Sequence, residues 1–249
     1  LDYVVTFFCF ISGVNFTLLY ASVAKLKFKN LMKNAEFRFY LFSVFASTAV
    51  VMIALMFKNG YGLEHAFRNS LFEVVTALTT TGFANDNAGN WAHITWVVII
   101  VCMFLGANSG STSGGFKSIR SVMVIKIIKN EFRQMLHPNA IVPLKLNSIN
   151  VPMQKRVTLL AFLASYMLIL AISIFLMSLA GVESVDCVSI SFSALGNVGP
   201  AFGSYIGPND SWAILPDSCK WISSILMLIG RLEIFSVLII FTPAYWREN

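Results

Sequence analysis

The sequence predicts an all-α, multi-pass transmembrane fold, and three observations carry that prediction. Apolar residues make up 57% of the 249 positions and charged residues only 12%, about half the charged share of a soluble domain. The apolar residues come in long blocks instead of thin amphipathic stripes. Basic and acidic segments alternate along the chain. The stretches 25–38 and 117–156 hold five and eight basic residues against one acid each, whereas 58–98 and 182–220 hold two and one against three and four. That alternation is the positive-inside pattern, with both basic stretches cytoplasmic. The net charge of +6 therefore points to membrane lipid as a partner, and no nucleic-acid partner is expected.

The elements follow in order. Residues 1–24 are apolar enough to end a transmembrane helix, and Leu1 opens inside an apolar run, as in a chain that begins partway through a helix of a longer protein. The basic linker Lys25–Arg38 comes next. Phe37–Phe57 is long enough to span a bilayer. Glu64–Leu78 is helix-like but too short to span, and it leads into Thr79-Thr80-Thr81-Gly82-Phe83. Trp91–Gly106 is apolar and runs into the glycine- and serine-rich stretch Gly106–Gly115. Phe116–Leu136 resumes as a basic, partly apolar helix, and His137–Gln154, with three prolines, is a cytoplasmic loop.

The order then repeats. Val157–Ala180 spans, Glu183–Leu195 is a second short helix, and Gly196-Asn197-Val198-Gly199-Pro200 is a second glycine-containing turn. Trp221–Trp246 is a last helix, interrupted at Gly230-Arg231-Leu232-Glu233. Gly82 and Gly199 stand 117 residues apart. Each unit is a spanning helix, a short re-entrant helix, a glycine turn and a further helix. Non-helical backbone at membrane depth is tolerated only where protein buries it or where it lines an aqueous path. Paired interruptions at matching places mark a transport site.

Two chemical readings of these turns stand side by side. A short helix directs its partly negative C-terminal end at the turn that follows. The carbonyls of Thr80, Thr81 and Gly82, and those of the matching turn, can then replace the water shell of a cation. The bland alternative is a capped turn after a helix and an ordinary Gly-Pro loop. The loop Gly110–Gly115 followed by Lys117-Ser118 nearly spells a phosphate-binding loop, but Phe116 separates the lysine from the second glycine, and that motif needs them adjacent. Arg231 lies inside an apolar helix, where a charge is a functional candidate by default, with pairing or snorkelling as the alternative. Glu233, two residues on, does not share its face and is expected to hydrogen-bond a neighbouring helix. Glu73 and Asp186 on the short helices either lend negative potential to an outer vestibule or are plain amide-paired carboxylates. Lys117, Arg120, Lys126 and Lys129 are expected at lipid headgroups. Cys187 and Cys219 fall on the same side, without the dense framework of a disulfide scaffold. The three histidines have no metal-ligand spacing, and no catalytic constellation stands out.

Six segments carry a family resemblance. Thr79-Thr80-Thr81-Gly82-Phe83 and Ser193-Ala194-Leu195-Gly196-Asn197-Val198-Gly199-Pro200 resemble filter sequences of the Trk/Ktr/HKT potassium transporter superfamily. Gly110-Ser111-Thr112-Ser113-Gly114-Gly115-Phe116-Lys117-Ser118-Ile119-Arg120 resembles the broken helix of its third repeat. Gly230-Arg231-Leu232-Glu233-Ile234-Phe235, with Phe241-Thr242-Pro243-Ala244-Tyr245-Trp246-Arg247, resembles the C-terminal end of the Trk branch, and His137-Pro138-Asn139-Ala140 is similar to it too. The resemblance implies repeated helix–pore-helix–helix units of a potassium-channel-like pore, four to a complete protein. This chain would hold the end of the second (residues 1–36), the third (37–155) and the fourth (156–249), and with two of four filter segments it would not conduct alone. It implies potassium as the transported ion, no cofactor and no enzymatic chemistry. Filter carbonyls would come from Thr80, Thr81, Asn197 and Val198, with Gly82 and Gly199 as filter glycines. The run through Gly106, Gly110, Gly114 and Gly115 would be an intramembrane loop that obstructs the pore, and Arg231 would project below the filter onto that loop. Asn108-Ser109 departs from the more glycine- or alanine-rich family pattern there. The resemblance further implies a homodimer in the bacterial inner membrane, bound by a cytosolic TrkA-like nucleotide-binding regulatory subunit. A sodium-dependent Ktr-type subunit and a non-conducting membrane remnant are the alternatives, and Glu233 speaks for the Trk branch.

Overall fold

A computed structural model describes the chain except for residues 25–27, 138–142, 148, 204–205 and 247–249. Lys25 and Lys27 of the basic linker, Pro138-Asn139-Ala140 and Arg247 lie outside the described residues. Apart from loops, the regular structure among the described residues is helical except for one hairpin of two-residue strands, β1 (Lys145–Leu146) against β2 (Ile149–Asn150), inside the stretch expected to be a loop.

The two expected spans are present and slightly longer than the apolar runs. Helix α4 (Ala35–Asn59) starts at Asn34, whose side chain accepts the amides of Glu36 and Phe37, and stops at Gly60 in the left-handed region. That is an N-cap and a glycine C-cap. Helix α8 covers Met153–Leu179. Both are long and apolar enough to cross a membrane. Their outward faces carry Phe42, Phe45, Phe57, Leu168, Ile172 and Phe175, all exposed, as lipid-facing helices require.

The first segment departs from expectation. Residues 1–24 are not one helix: α1 (Asp2–Ser12) and α2 (Phe16–Ala24) meet at 99°. Two residues explain the break. The Asn15 side-chain oxygen accepts the amides of Thr17 and Leu18 and so starts a new helix. Gly13 is wedged where a Cβ would lie 2.6 Å from the Tyr40 hydroxyl and 2.7 Å from Thr79 Cγ2. The expected C-terminal interruption is of the same kind, with α10 (Asp217–Arg231) and α11 (Ile234–Ile240) bent by 109°. Between these lie the short helices α3 (Phe28–Lys33), α5 (Leu63–Leu78), α6 (His93–Leu105), α7 (Ser118–Leu136) and α9 (Ser184–Gly196). At 13 residues, α6 reaches only about 20 Å and cannot cross a bilayer by itself.

Two apolar cores form among the described residues, the second drawing on residues from both sides of position 155. Tyr40, Leu55, Leu78, Ile99 and Met103 centre the first; Phe116, Tyr166, Ile190, Leu195 and Ile234 centre the second. Val198 and Phe202, from the second unit's turn, belong to the first core. The units are thereby interlocked at their turns. Cys187 and Cys219 are both buried, free thiols.

Gly13→Ala places a methyl group into the Tyr40–Thr79 contact, and overpacking of this kind costs about 1–3 kcal/mol. Its thermal midpoint in detergent should fall clearly below that of wild type. Gly62→Ala, where a Cβ meets nothing within 4 Å, should melt within the error of wild type.

Candidate functional site

The site forms where two turns and one loop meet, and the turns are conformational copies. In the first, the Thr80 amide donates to Ala77 O at 3.2 Å and the Thr81 amide to Thr76 O at 2.9 Å. In the second, Asn197 donates to Ala194 O at 3.1 Å and Val198 to Ser193 O at 3.0 Å. Every pair is offset by the same 117 residues. The backbone agrees as well: Thr80 and Asn197 have φ of 53° and 55°, and Gly82 and Gly199 follow with positive φ of 74° and 115°. A β-branched residue at positive φ is uncommon and costs energy, so the surroundings hold Thr80 there.

The turns touch. A Cβ on Gly82 would sit 2.0 Å from the Val198 carbonyl oxygen, whereas one on Gly199 would meet nothing within 4 Å. Among the described residues, no N–H or O–H donates to the carbonyls of Thr80, Thr81, Gly82, Asn197, Val198 or Gly199. Val198 is buried, Thr80, Thr81, Gly82 and Asn197 are half-buried and Gly199 is exposed, so the carbonyls border open space. A run of unpaired ones on two adjoining turns has the chemistry of a cation-coordinating wall.

The carboxylates of the short helices do not face this wall. Glu73 is buried and accepts a hydrogen bond from the Asn85 backbone. Asp186 is fully buried and accepts the Ile206 amide at 3.0 Å. Each pins the strand that leaves its turn, which is the amide-paired alternative. Beside the first turn's descending strand, Asp86 accepts from Asn69 at 2.8 Å and from the Tyr61 hydroxyl at 3.1 Å. Burial and that carboxylate raise the Tyr61 phenol above its usual range.

The loop between α6 and α7 runs beneath both turns, and its glycines have different neighbours. Gly106 ends α6, Gly110 lies against the Asn15 side chain, and Gly115 lies against the Met103 carbonyl. Gly114 is the point of contact with the turns. Its amide donates to Thr80 Oγ1 at 2.9 Å, and a Cβ there would lie 2.3 Å from the Gly196 carbonyl oxygen. Ser113 Oγ accepts the Ala107 amide at 2.9 Å and reaches the Leu78 carbonyl at 3.4 Å. On its far side the loop is held by the α1–α2 break, with the Asn108 amide on Gly13 O at 3.1 Å and the Phe16 amide on Gly110 O at 3.2 Å. The buried Glu36 carboxylate at the start of α4 accepts the Ser109 amide. Ser113, Asn15 and Glu36 were not singled out from the sequence. The Gly13-Val14-Asn15 sequence, a breaker followed by an N-cap residue, was the available signal for one of them.

Helices α7 and α11 restart from the same unusual backbone. Lys117 has φ 73° and ψ 134°, and Glu233 has φ 62° and ψ 133°. Glu233 links to Lys117 at 3.7 Å and to Arg120 at 3.0 Å, so it does bond a neighbouring helix. Lys117 and Arg120 accordingly turn inward, and Arg120 stacks 4.0 Å above the Phe162 ring. That corrects their expected place at lipid headgroups: one carboxylate and one aromatic face hold both cations inside. Arg231, the last residue of α10, has no carboxylate partner among the described residues. It lines a cavity of about 200 Å³ with Ser111–Gly115, Lys117, Tyr166 and Glu233. The structure therefore gathers Thr80, Gly82, Gly114, Asn197 and Val198 at one place, and Arg231 follows Gly230, where a Cβ would lie 2.0 Å from the Leu195 carbonyl oxygen.

Comparison with known proteins finds relatives over almost the whole chain. The family model for TrkH, described as a cation transport protein, matches residues 1–248. The Trk system potassium uptake protein TrkH of Halomonas elongata is 30% identical over 241 residues, covering 97% of this chain and 49% of that protein. Its namesake in Escherichia coli K12 is 30% identical over 246 residues, covering 98% and 50%. The crystal structure of the potassium transporter TrkH from Vibrio parahaemolyticus superposes with a TM-score of 0.91 at 29% identity, over 99% of this chain and 53% of that one. The chain spans about half the length of the curated relatives it matches.

Thr80→Val keeps the side chain's shape and removes the acceptor of the Gly114 amide. A single hydrogen bond is worth about 1 kcal/mol. Hydrogen exchange of peptides covering 106–117 should accelerate about fivefold, read by mass spectrometry, while peptides of α8 exchange as in wild type.

Proposed function

The chain belongs to the TrkH family of cation transport proteins, and we propose that it supplies two of the coordinating segments of a potassium uptake pore. The observation that carries this is the pair of equivalent turns whose carbonyls have no donor among the described residues. A dehydrated potassium ion needs a ring of such oxygens. Thr80, Thr81 and Gly82 provide one arc; Asn197, Val198 and Gly199 provide the next. A complete ring requires further segments, which the other half of a full-length relative would supply. The 117-residue offset supports residues 37–155 and 156–249 as successive units, with 1–36 closing a preceding one.

The loop through Gly106, Gly110, Gly114 and Gly115 is the gate in this reading. It lies across the inner side of both turns, and its contacts there are few and polar: one amide on Thr80 and one glycine against Gly196. Arg231, with no ion pair among the described residues, adds a positive barrier beside the loop to a cation leaving the filter. The pore works as a homodimer in the bacterial inner membrane, with a TrkA-like nucleotide-binding regulatory subunit on the cytoplasmic side acting through the loop. The relatives' shared name, potassium uptake protein, supports the choice of ion.

Rubidium uptake by potassium-starved cells expressing the complete coding sequence tests the filter. Gly82→Ser meets the Val198 carbonyl and carries the strain of positive φ, about 1–3 kcal/mol, so uptake should fall about tenfold or more. Gly199→Ser meets no atom but carries the same kind of strain, and it should lose uptake while reaching the membrane at wild-type levels. Wild-type uptake in both variants would remove the assignment. Arg231→Ala should raise the resting leak severalfold; an unchanged leak would make Arg231 a structural residue.

A further inference from the structure

Helix α7 carries two faces that the pore does not use. Ile125, Ile128, Phe132 and Met135, with Leu136, fall on one side of the helix at i, i+3, i+7 and i+10, and all are exposed. Lys126, Lys129 and Arg133 form the adjoining stripe at i, i+3 and i+7. The hairpin β1–β2 folds back against that basic stripe, and the Lys126 ammonium donates to the Lys145 carbonyl at 2.7 Å. Together they enclose a pocket of about 220 Å³ lined by Lys126, Lys129, Arg133, Lys145, Asn130 and Leu144. No carboxylate lines it, and none of its four cations is ion-paired among the described residues. A smaller cavity shares Asn130 and Leu144 with it and continues along α8 past Ile127, Met153, Val157 and Leu160; Glu131 and Arg156 flank it.

We propose that this pocket binds the headgroup of an anionic phospholipid. Four cations with no ion pair among the described residues, set around one concavity, attract a phosphodiester. The exposed apolar stripe beside them is what a helix lying in the plane of the interface presents to acyl chains. A free phosphate ion would satisfy the cations but would leave that stripe without a purpose, and the basic stretch 117–156 lies on the cytoplasmic side by its charge. The occupant is therefore a lipid of the cytoplasmic leaflet, seated with its phosphate among Lys126, Lys129, Arg133 and Lys145 and its chains along Ile125, Ile128 and Phe132.

The complete protein, purified in a neutral detergent and stripped of lipid, is titrated with short-chain phosphatidylglycerol and phosphatidylcholine, and bound lipid is counted by native mass spectrometry. Phosphatidylglycerol should bind about tenfold tighter. The combined variant Lys126→Gln, Lys129→Gln, Arg133→Gln and Lys145→Gln should lose that preference, and Phe132→Ser with Met135→Ser should weaken both lipids about equally. Equal binding of the two lipids to wild type overturns the proposal and leaves the face to a protein partner. An undiminished preference in the combined variant overturns it as well. Displacement of phosphatidylglycerol by equimolar inorganic phosphate would assign the pocket to the free ion instead. If the combined variant does not fold, Lys129→Gln and Arg133→Gln, both at exposed positions, must each reduce the preference about threefold; no change in either is equally decisive against it.

Discussion

Backbone that leaves a helix inside a membrane must find partners for its polar groups, and in this protein that constraint converges on Gly114. Its amide is taken by the Thr80 hydroxyl, and its missing side chain lets the loop lie against the Gly196 carbonyl. Around it, Ser113 satisfies the Ala107 amide, Gly13 receives Asn108, and Glu36 receives Ser109. The loop thus borrows partners from α4, from the α1–α2 break and from the first turn. Its position depends on all of them.

The turns follow a different logic. Their amides are spent on the preceding short helix, five and three residues back, at matching positions in both units. Their carbonyls are left over. Positive φ at Thr80 and Asn197, then at Gly82 and Gly199, turns the chain sharply enough for the two segments to touch at Gly82 and Val198. The buried carboxylates Glu73 and Asp186 pin the strands that follow. Packing of Val198 and Phe202 into the first core holds the two turns against each other.

Electrostatics divides the cations of α7 into two groups. Lys117 and Arg120 turn inward to Glu233, which ties the start of α7 to the break between α10 and α11. A displacement of either helix start would be felt by the other. Arg231 lines the same cavity as Glu233 but forms no ion pair among the described residues. Lys126, Lys129 and Arg133, one to four turns further on, face outward with an apolar stripe beside them. One helix therefore has an end that belongs to the site and an end suited to the membrane surface.

Hydropathy and charge order determined the membrane class, both spans and the two short helices with their turns. The reason is that lipid exposure and backbone satisfaction constrain residue type directly. Glycine at 82, 114 and 199 was legible for the same reason, since the chain can turn or approach closely there only without a side chain. What the tertiary structure alone decided is where polar groups find each other across long separations. The break at Gly13 depends on Tyr40 and Thr79, which the local sequence cannot contain, and the pull of Lys117 and Arg120 away from lipid depends on Glu233, 113 residues and more downstream. The left-handed Thr80, Lys117 and Glu233 were illegible because nothing in a threonine, a lysine or a glutamate favours positive φ; only the packing around them does.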